Sequence, residues 1–450
     1  MKIAYITAGA GRMYCGSCLR DNALAKALMD AGHDVLLIPT YTPTRTDEQN
    51  VSRGRLFLGG INIYLQQHFE FFQKTPIILD RLLDFKPLLK LVTRMGISVD
   101  PADLGGLTIA MLEGLNGPLR KEVRKLVRFL SEEVSPEIVT LPNSLLIALA
   151  PAIKEELNVP VVCTLQGEDL FLNGLIQPFH DDALRIIRKQ AAHVDAFVAV
   201  SNFGAQNMAE ALDVDRTRIH VVPLGINFDG FSAPNRDEPD PFTIGYLARI
   251  APEKGLHVLC EAYRCLRSQS GLPASRLWAA GYQPPEHKSY FSDIQKKMSG
   301  WGHKDHFHYH GELNRREKLD FLSKLSVFSV PTPYDDPKGI FLLEAMASGV
   351  PVVQPRRGAF TEIIEKTGGG LLVEPDDPDA LAQGLLNVWR NPDKRQELAR
   401  LAHHGVREHY GTKQMAEKTV DVFRTLLAER KNDGELWNND GRAKSLKLRV

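Results

Sequence analysis

Cysteine is scarce in this sequence. Five cysteines occur in 450 residues, and an odd number cannot be paired completely. This usage does not resemble the disulfide framework of a small secreted protein, so we expect a reducing, cytoplasmic environment. The apolar run within residues 1–9 is too short for the core of a signal peptide.

An excess of charge of either sign is also missing. Lys and Arg total 55, Asp and Glu total 55, and the formal net charge is zero. A neutral chain exerts no overall attraction on nucleic acid, so we expect no nucleic-acid partner. A membrane span is not expected either, because the longest apolar region, 141–153, is short and contains Pro142, Asn143 and Pro151.

The residues that are present are typical of an ordered protein with two or three domains. Hydrophobic residues make up 43% and charged residues 24%. Residues 2–8 read as a buried strand, a glycine-containing loop follows, and residues 19–31 have helical spacing before a second strand at 35–38. A strand, loop, helix and strand in this order begin a doubly wound sheet.

The same alternation continues and then restarts after a break. Further buried strands are predicted at 137–141, 159–164, 196–200 and 220–222. Residues 227–241 have the Pro, Asp and Asn content of a linker, and alternation resumes at 243–247. We therefore predict an α/β protein with two doubly wound, Rossmann-like domains that face each other across a cleft.

The predicted boundaries follow from this pattern. Residues 65–116 fit the alternation poorly and are interpreted as a helical insertion. The expected segments are an N-terminal domain at 1–226, a linker at 227–241, a donor-binding domain at 242–410, a helix crossing back at 411–430 and a mobile polar tail at 431–450.

The first chemical motif lies on a loop between a strand and a helix. The strand ends near Leu247 and the helix begins near Gly255, so Arg249 and Lys254 lie on the loop between them. Arg supplies a planar fork of donors and Lys a mobile point charge, and together they suit a diphosphate. A solvated basic loop is an equally good interpretation of this segment alone.

The second motif spans residues 331–353. A strand leads into a loop that contains Gly339, and a helix follows that carries Glu344. Glycine allows the backbone to approach a phosphate closely, and the free N–H groups of the helix start can bind it. Asp336 and Glu344 lie eight positions apart, and a carboxylate there can accept from two neighbouring sugar hydroxyls.

With these two motifs the sequence resembles glycosyltransferase family 4, whose members are retaining enzymes of the GT-B fold. The resemblance covers almost the whole chain. It implies that Arg249 and Lys254 grip the donor diphosphate, that Glu344 holds the nucleotide ribose and that Asp336 contacts the transferred sugar. It also implies a backbone contact to the donor from Gly16 and from Gly339, Ile340, Phe341, Leu342 and Leu343.

The resemblance implies transfer of a sugar from a nucleotide diphosphate-sugar to a hydroxyl of a glycan, a lipid-linked molecule or a small molecule. No other cofactor and no divalent metal are implied. The sequence departs from the family where Asp336 replaces the usual Glu and Pro337-Lys338 replaces the usual Gly-Phe. The acceptor side also lacks the family's His residues.

The candidate acceptor residues follow two predicted strands of the first domain: Asn143, Gln166, Glu168 and Asp169. A carboxylate there could orient an acceptor hydroxyl. It could equally cap the following helix, and we favour the cap for Glu168 and Asp169.

Four other signals favour structural interpretations. The Cys15-x-x-Cys18 pair is read as two small residues in a tight loop, and Asp377-x-Asp379 as a helix cap and not a metal site. The alternating histidines at 303–310 are placed near the nucleotide base. The basic amphipathic helix at 120–130 is expected to pack its apolar face on the domain, with contact to the inner face of a membrane as the less favoured alternative.

Three competing functions stay open. A dinucleotide-dependent oxidoreductase is disfavoured, since no acid for a ribose follows the second strand, which ends in Thr40-Tyr41-Thr42. A non-catalytic nucleotide-sugar-binding relative is motivated by Asp336. Another GT-B enzyme, such as an epimerase or a phosphorylase, would share the fold.

Overall fold

The computed structural model describes residues 1–9, 14–54, 56–58, 101–231 and 239–447, with only the backbone for 101–103 and 432–447. Most of the predicted insertion, 65–100, therefore lies outside the described residues. Its last part is helical, with an α-helix followed by a 3₁₀ turn at Gly114–Asn116. Most of the predicted linker, 232–238, also lies outside them.

The first domain is built on a six-stranded sheet in which every neighbouring pair is parallel. The strand order is β2-β1-β3-β4-β5-β6. Buried apolar side chains cover both faces, as expected for a parallel sheet between helices. The strands are β1 Lys2–Thr7, β2 Asp34–Pro39, β3 Ile138–Leu141, β4 Val161–Leu165, β5 Ala196–Ala199 and β6 Ile219–Val221.

The second domain repeats this architecture with a second parallel sheet, in the order β12-β11-β10-β7-β8-β9. Two doubly wound domains were predicted, and the fold class is confirmed. The strands are β7 Phe242–Leu247, β8 Ser275–Ala280, β9 Phe307–Tyr309, β10 Val327–Phe328, β11 Val352–Pro355 and β12 Gly370–Val373.

Helices connect the strands in both domains. In the first, they are α1 Gly16–Asp30, α2 Pro101–Glu113, α3 Arg120–Phe129, α4 Leu149–Leu157, α5 Asp169–Asn173, α6 Phe179–Gln190 and α7 Asn202–Leu212. In the second, they are α8 Leu256–Arg267, α9 Lys288–Gly300, α10 Arg315–Ser323, α11 Ile340–Ala347, α12 Gly358–Thr367, α13 Pro378–Arg390, α14 Pro392–His409 and α15 Thr412–Lys447. Within the described parts of the chain, none of them combines the length and apolar character needed to cross a bilayer.

The final helix, α15, returns to the first domain. Met415, Val420 and Phe423 on this helix join the same buried cluster as Tyr5 and Leu24. The helix continues to Lys447, so residues 431–447, which were predicted as a polar tail, have a helical backbone. The stretch is polar but contains no proline, and its Lys, Glu, Leu and Arg residues are compatible with helix.

Candidate active site

A buried ion pair joins the two motifs of the second domain. Lys254 follows β7, Asp336 follows β10, and these strands are neighbours in the sheet. Lys254 Nζ lies 2.7 Å from Asp336 Oδ2, and the Tyr334 hydroxyl lies 2.8 Å from both atoms. The Asp336 residue is only 1% exposed. Two strand-end loops therefore meet at one buried ion pair.

The second oxygen of Asp336 is bound by its own loop. Asp336 Oδ1 accepts from the backbone N–H of Lys338 at 2.9 Å and of Gly339 at 3.3 Å. Burial opposes ionisation of this carboxyl, but the charge and hydrogen bond of Lys254 outweigh it and hold its pKa below the usual range. Asp336 thus fixes both the Lys254 ammonium group and the backbone that leads to Gly339.

Gly339 begins the helix that follows. Its φ of +65° lies in the left-handed region, and an added Cβ would be 2.9 Å from Ile363 Cδ1. The side chains of Phe341, Leu342 and Leu343 are buried in the domain core. These side chains therefore cannot contact a ligand. The backbone N–H groups of the first helical turn can, because N–H groups at a helix start have no partner within the helix.

The start of α1 in the other domain faces this helix start. A Cβ on Gly16 would lie 3.7 Å from Ile340 Cγ2, and Lys338 Nζ lies 3.1 Å from Ser17 Oγ. Two helix N-termini and one lysine thus converge between the domains. Each of these groups favours an anion.

Glu344 lies in the same region, with a buried cationic partner. Its Oε1 is 2.6 Å from Nζ of Lys318 on α10, which also pairs with Asp47 of the first domain. Burial disfavours the charged lysine, but Glu344 and Asp47 together raise its pKa above the usual value. Sequence analysis missed Lys318 and Asp47, because nothing in their local sequence indicates that they meet.

Arg249 lies at the rim of the site. Its guanidinium is about one third exposed and pairs with Glu253, four residues along the same loop. Its side chain has no contact with Asp336 among the hydrogen bonds of the described residues. The structure therefore brings Lys254 and Asp336 together and leaves Arg249 on the same loop, paired with Glu253.

The acceptor-side residues lie beyond the carboxyl ends of β3 and β4. Gln166 Nε2 donates to Asp21 Oδ1 at 3.2 Å and to the Pro142 carbonyl at 2.9 Å. Asp169 Oδ2 accepts from Asn207 Nδ2 at 3.1 Å, and burial raises the pKa of the Asp169 carboxyl. Asn143 precedes a 3₁₀ turn without capping it through its side chain.

The predicted cap is wrong for Glu168. This buried carboxylate makes no side-chain cap on α5. Its oxygens instead accept from the backbone N–H of Ser144 at 2.9 Å and of Gln166 at 2.7 Å, so it ties two strand-end loops together. Burial, the largest influence, raises the pKa of its carboxyl. A sequence pattern cannot show that the loop at 144 lies closer than the helix start.

Several buried polar atoms at this edge have no protein partner among the described residues. All belong to the first domain, on α1 or at and beyond the carboxyl ends of β2, β3 and β4. They are Arg20 Nε, Thr42 Oγ1, Thr44 Oγ1, Thr140 Oγ1, Asn143 Oδ1, Ser144 Oγ and Gln166 Oε1. Unpaired buried polar atoms are costly, so their concentration at one edge makes it a candidate ligand-binding surface.

Residues of both domains line one cleft. Arg20, from the first domain, forms a buried network there with Tyr5 and Asp21 at distances of 2.5 and 3.2 Å. Sequence analysis missed this network. The cleft is lined by Arg20, Asn22, Asp47, Glu48, Asn227, Arg315, Ile340 and Glu344, among others.

Two of the structural interpretations are supported. Asp377 accepts from the N–H groups of Asp379 and Ala380, both at 2.9 Å, and so caps α13. The basic helix α3 buries Val123 and Leu126 in the domain core. In the described parts of the chain no group of three metal-ligating side chains occurs, the histidines at 303–310 included.

Two family models match adjoining parts of the chain. The "Glycosyltransferase Family 4" model matches residues 106–229, and the "Glycosyl transferases group 1" model matches residues 228–404. The D-inositol 3-phosphate glycosyltransferase of Xylanimonas cellulosilytica is 26% identical over 287 residues, which are 60% of this chain and 67% of that protein. The phosphatidyl-myo-inositol mannosyltransferase of Mycobacterium tuberculosis is 26% identical over 272 residues, 56% of this chain and 62% of that protein.

Solved structures with the same architecture cover nearly the whole chain. Sucrose-phosphate synthase from Thermosynechococcus elongatus has a TM-score of 0.69 at 18% identity and covers 95% of this chain and 99% of its own. Anabaena HepE in complex with UDP has a TM-score of 0.66 at 16% identity, and the match covers 94% of this chain and 100% of HepE. The protein therefore has the GT-B fold. It belongs to glycosyltransferase family 4, also described as group 1.

Proposed function

We propose that this protein transfers a sugar from a nucleotide diphosphate-sugar to a hydroxyl acceptor, with retention at the anomeric carbon. The observation that carries the proposal is the Lys254–Asp336 pair beside the starts of α1 and α11. A departing diphosphate is stabilised by positive charge. Because Asp336 already holds the Lys254 ammonium group in place, this charge requires little reorganisation during the reaction.

Each donor group has a matching element in this site. The diphosphate is assigned to Lys254 and to the N–H groups near Ile340, with Arg249 at the rim. The ribose hydroxyls are assigned to Glu344, whose carboxylate already accepts from Lys318 at 2.6 Å. Gly16 lies opposite Ile340, so a larger residue there would reduce the space between the two helix starts. The transferred sugar is then placed near Asp336.

The acceptor is assigned to the first domain. The unpaired polar atoms at the ends of β2, β3 and β4, including those of Asn143 and Gln166, suit a molecule with several hydroxyls. Glu168 holds this wall in shape through Ser144 and Gln166. A suitable acceptor panel contains myo-inositol, its phosphates and simple hexoses, since two of the relatives bear names with inositol acceptors.

The test is a calorimetric titration of UDP, GDP and ADP against wild type, Lys254→Ala and Lys366→Ala. We expect one nucleotide to bind wild type and Lys366→Ala equally, because Lys366 is an exposed residue on α12. Lys254→Ala should bind it about tenfold or more weakly, as expected for loss of a charge-assisted contact of roughly 1.5–3 kcal/mol.

Turnover distinguishes the competing functions. Release of the nucleoside diphosphate together with a sugar moved to the acceptor panel would support transfer. Binding without any release of diphosphate would favour a non-catalytic relative. Failure of all three nucleotides to bind would contradict the proposed site.

A further inference from the structure

Two cysteines lie in the first turn of α1, beside the proposed donor site. Cys15 is the N-cap residue and partly exposed, whereas Cys18 is 1% exposed. Residues three apart at a helix start are neighbours, so the two side chains lie next to each other on the first turn. The spacing is that of a Cys-x-x-Cys motif at a helix N-terminus, which is typical of reactive cysteine pairs.

The surroundings make the two thiols unequal. The hydrogen bond from Cys18 is the main cause that lowers the pKa of Cys15 well below its usual value, and it outweighs burial. The Lys338 ammonium adds to this effect. The same hydrogen bond and burial raise the pKa of Cys18, with Asp21 as a further negative neighbour. The negative charge is thus favoured on Cys15 and the proton on Cys18.

The other cysteines provide an internal comparison. All five lie within the described residues, and burial raises the pKa of Cys163, Cys260 and Cys265. Cys265 is partly exposed like Cys15 and has Arg264 3.8 Å from its sulfur, but burial and Asp379 outweigh this cation and raise its pKa. Exposure alone therefore does not account for the distinct character of Cys15.

We infer that Cys15 and Cys18 form a redox-active dithiol whose disulfide state weakens donor binding, with Cys15 as the attacking thiolate and a small-molecule disulfide as the oxidant. Cys15 attacks one sulfur of glutathione disulfide and forms a mixed disulfide, and one glutathione thiolate leaves. Cys18 then gives up its proton and attacks the Cys15 sulfur, which closes the Cys15–Cys18 bond. The second glutathione leaves, and two electrons have passed to the oxidant.

The link to the donor site runs through Lys338. Its Nζ donates to Ser17 Oγ at 3.1 Å, between the two cysteines, and its backbone N–H donates to Asp336 Oδ1 at 2.9 Å. A disulfide replaces the negative thiolate with a neutral bond and reshapes the turn that holds Ser17. Lys338 then loses its partners, and the loop from Asp336 to Gly339 changes. This link depends on the proposed function.

The first experiment measures alkylation rates of each cysteine in the folded protein with iodoacetamide near neutral pH, by peptide mass spectrometry. We expect Cys15 to react at least about tenfold faster than Cys265, because the thiolate is the reactive form. Lys338→Met should slow Cys15 and leave Cys265 unchanged. Equal rates for Cys15 and Cys265 in wild type would overturn the inference.

The second experiment treats wild type, Cys15→Ser and Cys18→Ser with glutathione disulfide. Wild type should form the Cys15–Cys18 bond, reversibly with dithiothreitol. Cys18→Ser should stop at one glutathione attached to Cys15, and Cys15→Ser should stay unmodified. A Cys15→Ser protein that carries glutathione on Cys18 would refute the assigned order of attack.

The third experiment repeats the UDP, GDP and ADP titrations on reduced and oxidised protein. Oxidised wild type should bind its nucleotide several-fold more weakly than reduced wild type, and Cys15→Ser should be insensitive to the oxidant. Equal affinities of the two wild-type forms would refute the link to the donor loop. Absence of binding even in reduced protein would instead count against the proposed function, and the chemistry of the thiols would still be tested by the first two experiments.

Discussion

The carboxylate of Asp336 uses both of its oxygens. Oδ2 accepts from Lys254 and Tyr334, and Oδ1 accepts from the backbone of Lys338 and Gly339. A Glu side chain, which is usual in the family, is one methylene longer and would shift these four contacts. The shorter Asp therefore fits a role in holding Lys254 and the loop in place, besides any contact with the sugar.

Asp336→Asn should lower the free energy of unfolding by about 1–3 kcal/mol, because it removes a charge-assisted hydrogen bond at a buried position. Urea unfolding measures the change. Asp335→Asn is the matched control, since the Asp335 side chain is 59% exposed and a surface change of this kind shifts stability by about 0.5 kcal/mol or less. Equal stabilities of the two variants would contradict this reading.

Asp336 should also contribute to the pH dependence of stability. Its folded pKa lies below the unfolded value of about 3.9, so its contribution is present above that pH and is lost as the pH falls toward the folded pKa. Between about pH 5 and pH 3, wild type should therefore lose unfolding free energy more steeply than Asp336→Asn. Parallel pH profiles of the two proteins would show that this carboxyl has no depressed pKa.

At the scale of elements, the turn from β10 into α11 depends on a glycine. Gly339 combines a positive φ with a close approach to Ile363. The loop is also pinned across the domains, where Ser201 Oγ donates to the Pro337 carbonyl at 2.8 Å. The position of the helix start is thus determined from both domains.

Gly339→Ala should cost about 1–3 kcal/mol of stability and should also weaken nucleotide binding. Gly368→Ala is a matched control, since Gly368 has nearly the same φ, +67°, at the end of α12 and away from the site. Both variants should unfold at lower urea concentration, whereas only Gly339→Ala should lose nucleotide affinity in calorimetry. Loss of affinity in both would show that the effect is one of general stability.

At the scale of the whole molecule, a loop of the first domain is paired with cations and an acid of the second. Asp47 contacts Lys318, and Glu48 lies 2.8 Å from Arg315. Arg45 lies 3.1 Å from Glu312. Because Lys318 also binds Glu344, these contacts between the domains include a residue assigned to the donor ribose.

Asp47→Lys should open the cleft, because it places a second cation against the buried Lys318. Small-angle X-ray scattering should give a larger radius of gyration than for wild type. Asp30→Lys is the control, since the Asp30 side chain lies on the exposed end of α1 and is 65% exposed. A radius unchanged in Asp47→Lys would contradict the role of this loop in closure.

The sequence by itself determined the two-domain architecture. Buried strands alternate with amphipathic helices twice, and the strands predicted at 196–200 and 243–247 end or begin within a residue of the observed β5 and β7. It also indicated Lys254, Asp336, Gly339 and Glu344, because glycine and charged residues at strand ends have few purely local explanations.

Only the tertiary structure decided which of these residues meet. Lys254 and Asp336 are 82 positions apart, and Lys318 and Asp47 are 271 apart, so no local pattern relates them. The same holds for Glu168, which binds the loop at 144, and for Lys338, which lies beside the cysteine pair. Hydrophobic periodicity specifies the elements of a chain, whereas contacts between distant side chains depend on how the two sheets and their loops pack together.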